Sequence, residues 1–350
     1  MRFLIIGAGA VGGYVGGRLA AAGHAVTFLA RPAVAAALQS HGLRLTVAAT
    51  GQTVFLPAVE TATTLREALA GHPFDCCVLA IKAYDAETAA ADLKAATSSP
   101  PPLFCLQNGV DGEADLARTF GAGSVIAGSV STPVSKRADG DLVIEKVRGM
   151  GVALGHPLSQ RLGAVLRGAG IHTRLYPAAG PMKWSKLLTN LAGNATSAIL
   201  DLPVTELFDD PRLFQVEAQT LLECLAVMRA LRYPVVDLPG LPARALAWGV
   251  RWLPAVVARP LMRRFIGAGR GGKMPSLNMD LHFGRRRTEV YWLNGAVARH
   301  GAMIGVPAPV NQVLTDTLEA LSAGQLDPAE FRHRPEALLQ RLLSKQETTG

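Results

Sequence analysis

Short apolar runs separated by stretches of helical period fill the first half of the chain. "RFLIIG" (2–7), "AVTFLA" (25–30), "FDCCVLAIK" (74–82), "LFCLQ" (103–107) and "SVIAGSV" (124–130) are rich in β-branched, aromatic and other apolar residues. The segments 11–22, 32–41 and 86–97 carry helical spacing, and Pro32 suits the first turn of the second. Strands alternating with helices predict a parallel sheet covered on both faces. "LRLTVAATGQTVFL" (43–56) differs, because two β runs flank a short turn; it reads as a hairpin inserted in that sheet. "DLVIEKV" and "IHTRLYP" add β character before residue 177. After "YPAAGP" (176–181) the period becomes helical, with stretches expected at 182–200, 211–232, 240–265, 286–303 and 309–322. The chain therefore reads as two domains, an α/β domain over 1–177 and an all-helical domain over 178–345. "GAGRGGKMPS" (267–276) is a glycine-rich loop in the second.

Composition narrows the class. Hydrophobic residues make up 49% and charged residues 18%, so the chain can bury a large core and is not disordered. The net charge of +8 suits anionic ligands. No zinc-finger spacing, RNA-binding aromatic signature or dense basic helix accompanies it, so no nucleic-acid partner is expected. Cys76, Cys77, Cys105 and Cys224 form no CxxC pair, and three lie in strand-like runs, which points to buried thiols rather than a disulfide framework. Glycines interrupt the apolar N-terminus too often for a signal peptide. The apolar segment 244–265 is broken by Arg244, Arg251, Arg259 and two prolines, so it does not read as a membrane span. These features predict a cytoplasmic protein without a membrane partner.

The first strand runs into Gly7-Ala8-Gly9-Ala10-Val11-Gly12, a GxGxxG motif. The motif alone is weak. Here it follows a strand, opens a helix and precedes a second strand within about 30 residues, which is the dinucleotide-binding context. Gly7 allows the tight turn, Gly9 lets the backbone approach a pyrophosphate, and Gly12 lets helix and strand pack closely. The first domain is therefore expected to be Rossmann-type. An NAD site would place an acid at the end of the second strand to bind the ribose 2′-hydroxyl. That strand ends instead in Arg31, a cation suited to a 2′-phosphate, which favours NADPH/NADP+. Read by itself, Arg31 is also compatible with an ordinary surface arginine. Lys82 and Asn108 stand at the carboxyl ends of two further expected strands, where open α/β sheets bind ligands. "QNG" is equally good turn chemistry.

In "KWSKLLTNLAGN" (183–194), a continuous helix would put Lys186, Asn190 and Asn194 on one face at i, i+4 spacing. The residues between them are apolar, so the stripe is either solvated or a row of hydrogen-bonding groups facing a cleft. With "GAGAVG", "AIKAYD", "LQNGV" and "PSLNMDLHFGRRRTEVYWLNG", this segment resembles the ketopantoate reductase (2-dehydropantoate 2-reductase) family, in the family's order and over nearly the whole chain. The resemblance implies a C-terminal domain similar to that of 6-phosphogluconate dehydrogenase. It implies that Lys186 is the general acid that protonates the ketone oxygen, and that Glu289 lies near the catalytic lysine. It further implies that Asn190, Asn194 and Ser276 hold substrate oxygens, while Lys82 and Asn108 contact the nicotinamide ribose, its carboxamide or the substrate. Two departures stand out. Glu289 stands nine positions after Asp280, one more than is usual, and the segment 240–270 is longer and richer in arginine than in compact members. Arg285–Arg287 reads as a solvated basic face.

The leading expectation is NADPH-dependent reduction of a small-molecule 2-oxo acid. Ketopantoate to (R)-pantoate, on the route to pantothenate and coenzyme A, comes first. A reductase of another 2-oxo acid or of a cyclic imine is the alternative within the fold. A non-catalytic NADPH sensor is the alternative outside enzymes, though it would have no use for a proton donor. No G-x-S-x-G elbow and no HExxH metal motif occurs, so neither acyl transfer nor a metal site is expected. Long helices of this kind can build a homodimer interface, which the sequence does not show.

Overall fold

The computed structural model describes residues 1–267, 274–283 and 287–347. The expected loop at 267–276 and the Arg285–Arg287 run therefore lie largely outside the described residues. The chain divides into two compact units, one of Met1–Lys183 with Asp237–Pro242, the other of Trp184–Val236 with the chain from Ala243 onward. The division falls inside the helix Ala179–Leu191.

The first unit holds twelve strands: β1 (Arg2–Ile6), β2 (Ala25–Leu29), β3 (Leu43–Val47), β4 (Thr53–Leu56), β5 (Glu60–Ala62), β6 (Cys76–Leu79), β7 (Leu103–Cys105), β8 (Val125–Val130), β9 (Val134–Ala138), β10 (Asp141–Ile144), β11 (Met150–Ala153) and β12 (Thr173–Tyr176). Eight of them form one sheet in the order β12-β11-β8-β7-β6-β1-β2-β5, parallel throughout except between β8 and β11. β1 is apolar on both faces because both are covered: Phe3 and Ile5 enter one core cluster, Leu4 and Ile6 the other. From β1 the chain builds to one side through β2 and β5, and to the other through β6 and β7. The carboxyl end of β1 is thus a topological switch point, the place where such sheets bind ligands.

The hairpin at 43–56 forms, as the antiparallel pair β3–β4, but it is not inserted in the main sheet. It joins β9 and β10 in a separate four-stranded sheet, β4-β3-β10-β9. The helix Ala10–Ala21 packs on both sheets, and its glycines make that possible. A Cβ on Gly16 would lie 2.5 Å from Phe28, one on Gly13 2.5 Å from Leu142, and one on Gly17 2.8 Å from Leu43. The segment Asp237–Pro242 is tied to this unit by Ser131 Oγ, which donates to the Pro239 carbonyl at 2.7 Å, and by the Tyr176 hydroxyl, which donates to that of Asp237 at 2.7 Å.

The second unit is helical, and two expected helices are broken. The stretch 182–200 ends as a helix at Leu191 and restarts as Ala195–Leu200. Between them Gly193 has φ +65°, and a Cβ there would sit 2.6 Å from Val204 Cγ1. Its N–H donates to the buried Glu217 carboxylate at 2.5 Å. The stretch 240–265 is split before Pro254 into Ala243–Trp252 and Ala255–Met262. The long helix Pro211–Ala230 supplies a second buried anchor, Glu223. Its carboxylate accepts from Val310 N and Asn311 N, both at 3.0 Å, capping the helix Pro309–Ser322.

Candidate active site

Each unit carries its own set of candidate residues. In the first, they stand at the carboxyl ends of neighbouring parallel strands. The chain leaves β1 at Gly7, whose φ of +101° suits glycine. A Cβ there would lie 2.7 Å from Ile81 Cγ2 and 2.9 Å from the Ala80 carbonyl oxygen. At Gly12 a Cβ would lie 1.9 Å from the Gly7 carbonyl oxygen. Gly9 differs, since a Cβ there meets nothing within 4 Å, and packing inside the unit does not require glycine. Gly9 is also the N-cap of Ala10–Ala21 and makes no side-chain capping bond. Ala8, Ala10 and Val11 complete this turn. The result is a glycine cradle at a helix N-terminus, where N–H groups and the helix dipole favour an anion. Arg31 is exposed just past β2, at the N-cap of the helix Pro32–His41.

Lys82 is half-buried past β6 and caps a short 3-10 turn, Ala83–Asp85. Asn108 is exposed past β7, next to Gly109, whose φ is +85°. Gln107 lies between the two loops, buried, with its Nε2 donating to the Lys82 carbonyl at 3.2 Å. Lys183 reaches the same turn. It is 5% exposed, donates to the Gln107 carbonyl at 2.7 Å, and pairs with Glu113 Oε1 at 2.8 Å. Burial alone would lower the Lys183 pKa, but the Glu113 carboxylate outweighs it and the ammonium sits above the ordinary lysine value. Gln107, Glu113 and Lys183 were not among the residues singled out from the sequence. The available signal was a lone lysine among apolar helix positions, three residues before Lys186.

In the second unit, Lys186 is half-buried and donates to Asn190 Oδ1 at 2.6 Å. These two share the helix face expected for them. Asn194 does not, because the helix has ended and Asn194 is the N-cap residue of the next one. Its buried Oδ1 accepts from Leu277 N at 3.2 Å, which ties it to the first turn of the helix Ser276–His282. The structure thus brings Asn194 to the turn that carries the exposed Ser276. That short helix is held further by Asn278 Nδ2, which donates to the Ser197 carbonyl at 3.2 Å and to Asp201 Oδ1 at 3.1 Å. Glu289 is 2% exposed at the start of the 3-10 turn Val290–Trp292.

All four cysteines are buried and unpaired. Burial pushes their thiols up, that of Cys77 to about 12, which leaves no thiolate nucleophile near neutral pH. Among the described residues no group of three or more His, Cys, Asp or Glu could hold a metal ion. Among them, too, no helix is long and apolar enough to cross a membrane.

Comparison with known proteins adds a family to this geometry. Residues 3–153 match the family model described as "Ketopantoate reductase PanE/ApbA", and residues 180–322 match "Ketopantoate reductase PanE/ApbA C terminal". A 2-dehydropantoate 2-reductase of Archaeoglobus fulgidus is 27% identical over 332 residues, covering 92% of this chain and 98% of the relative. One from Halobacterium salinarum is 28% identical over 324 residues, covering 90% and 97%. Among solved structures, a PanE/ApbA family ketopantoate reductase from Ralstonia eutropha superposes with TM-score 0.77 at 28% identity, over 93% of this chain and 99% of that one. A D-mandelate dehydrogenase solved with NADH and anilino(oxo)acetate shares the fold at TM-score 0.75 and 20% identity, over 93% and 99%.

Proposed function

Because the chain belongs to the ketopantoate reductase family of oxidoreductases, we propose that it reduces ketopantoate to (R)-pantoate with NADPH, using Lys186 as the general acid. The observation that carries this reading is the Lys186–Asn190 hydrogen bond of 2.6 Å on a half-buried helix face. An ammonium held in one direction can give its proton to a ketone oxygen as negative charge develops there, and stabilise that charge before the transfer. NADPH, when bound, supplies the hydride to the carbonyl carbon.

The first unit fits such a dinucleotide. Gly7 and Gly12 close a turn that side chains would fill, and Gly9 leaves the backbone open to a diphosphate at the helix N-terminus. Arg31 is assigned to the 2′-phosphate, and Lys82 and Asn108 to the nicotinamide end. In the second unit, Asn190 orients the acid. Asn194 has its Oδ1 committed to Leu277, so its amide nitrogen is the end that would donate to a substrate oxygen. Ser276 is assigned to the substrate carboxylate or hydroxyl. The buried Glu289 carboxylate belongs to the catalytic set, favouring the protonated lysine. The four unpaired thiols suit a reducing compartment, so we place the enzyme in the cytoplasm. A homodimer is compatible with this reading.

The test follows NADPH loss by its near-ultraviolet absorbance, with ketopantoate beside a panel of aliphatic and aromatic 2-oxo acids and cyclic imines. Saturable turnover with ketopantoate at the highest kcat/KM is expected. A higher kcat/KM with an aromatic 2-oxo acid, the class suggested by the oxo-acid ligand of the D-mandelate dehydrogenase structure, would overturn the substrate and leave the reaction class standing. For the cofactor, Arg31→Asp is expected to weaken NADPH more than NADH, and equal losses would contradict the 2′-phosphate assignment.

A further inference from the structure

We propose that Lys183, together with Glu113, is a positioning residue for the nicotinamide end of the cofactor site: it locks Gln107, and through Gln107 it fixes the two loops that present Lys82 and Asn108. The inference rests on the reading that Lys82 and Asn108 meet the cofactor.

The network lies within the first unit and is buried. The Lys183 ammonium has three N–H groups and three acceptors around it: Glu113 Oε1 at 2.8 Å, the Gln107 carbonyl at 2.7 Å and the Gly128 carbonyl at 3.5 Å. These belong to the helix Gly112–Phe120, the turn after β7, and β8. One side chain therefore pins three elements that converge on one end of the sheet. Gln107 is in turn held at both ends. Its backbone carbonyl takes the lysine, and its side-chain amide reaches the Lys82 carbonyl at 3.2 Å. Room for that side chain is provided by Gly112, where a Cβ would come within 2.9 Å of Gln107 Oε1. Asn108 follows Gln107 directly and precedes the left-handed Gly109, so the direction in which it leaves the strand is set by the backbone that Lys183 holds.

Stability alone gives no reason for a charged pair here. Two charges taken out of water lose hydration, and an apolar pair of similar volume is often as stable or more so. What an ammonium adds is direction, since one ion pair and two hydrogen bonds to three elements admit one arrangement where apolar packing tolerates several. Because Glu113 keeps the lysine charged through the neutral range, the lock does not open with pH near 7.

The experiment is a double-mutant cycle on NADPH affinity, measured by the change in NADPH fluorescence on binding, with melting temperature and the split between kcat and KM recorded in parallel. Lys183→Met keeps the stem and removes the ammonium. It is expected to weaken NADPH about tenfold, and Asn108→Ala is expected to cost much less on that background than in the wild type. Gln107→Leu removes the link to Lys82 while leaving the carbonyl that Lys183 holds. It is expected to reproduce the affinity loss, and it serves as the test if Lys183→Met does not fold. Additive losses, or a lowered melting temperature with unchanged NADPH affinity in both variants, would overturn the positioning role and leave the proposed function intact. Failure of the wild type itself to bind NADPH would remove the cofactor reading and this proposal with it.

Discussion

The glycine turn of the first unit and the helix breaks of the second are held by opposite means. In the first, the backbone places the glycine turn, which follows β1 and which Gly7 and Gly12 keep closed, while Lys82 and Asn108, past β6 and β7, stand on loops that Lys183 and Gln107 tie. In the second, buried side chains do the placing. Glu217 holds the break at Gly193, Asn194 holds the first turn of Ser276–His282, and Asn278 with Asp201 holds the rest of that helix. A site built from backbone is most sensitive to added atoms, and a site built from side-chain hydrogen bonds is most sensitive to removed ones.

That contrast can be broken by substitution. The largest effect is expected from adding a methyl at Gly12. With a Cβ 1.9 Å from the Gly7 carbonyl, Gly12→Ala forces the helix off the strand and should lower unfolding free energy by about 3 kcal/mol or abolish NADPH binding. A urea melt with cofactor titration checks this, and a variant that binds and melts like the wild type would refute the backbone account. Gly9→Ala is the matched control, expected to leave the melt unchanged and weaken only the cofactor. Next comes deletion in the second unit. Asn194→Ala leaves the buried Leu277 N–H without its acceptor, which costs about 1–3 kcal/mol. Hydrogen exchange should rise in 276–282 and stay level in β1 and β6.

The smallest effect is a pH dependence. Burial would raise the Asp201 pKa, but hydrogen bonds from Asn278 and Arg332 outweigh it, and the carboxyl sits below its ordinary value. A depressed carboxyl contributes stability above the unfolded-state pKa, and loses it as pH falls through the lower folded value. Asp201→Asn should therefore flatten the melting temperature against pH below about pH 4. An unchanged acid limb would remove Asp201 from the set of residues that hold the helix.

The same contrast explains what could be read from the chain. Parallel strands buried on both faces write themselves as apolar runs, and a GxGxxG between strand and helix marks the turn, so the first unit's edge is legible to within about three residues. The partners of the 43–56 hairpin are not, because β10 lies far along the chain and periodicity carries no pairing information. The second unit misled for a related reason. "LLTNLAGNATSAIL" keeps helical spacing through residues 192–194, and the signal for a break is a single glycine. What ends the helix there is Glu217, on another helix. Helical spacing therefore puts Asn194 on a stripe it does not join. Lys183 is not legible in the sequence because its contacts are with Glu113 and Gln107, distant along the chain, rather than with its own neighbours.

One comparison bears most directly on the division of labour between the units: NADPH affinity and ketopantoate turnover, measured side by side in the wild type and Lys186→Ala. Unchanged NADPH affinity with turnover reduced by about 10²–10⁴-fold is the expected result, since a general acid supplies roughly that factor and does not hold the cofactor. Turnover retained near the wild-type level would remove Lys186 as the proton donor, and a matching loss of NADPH affinity would make it a binding residue instead.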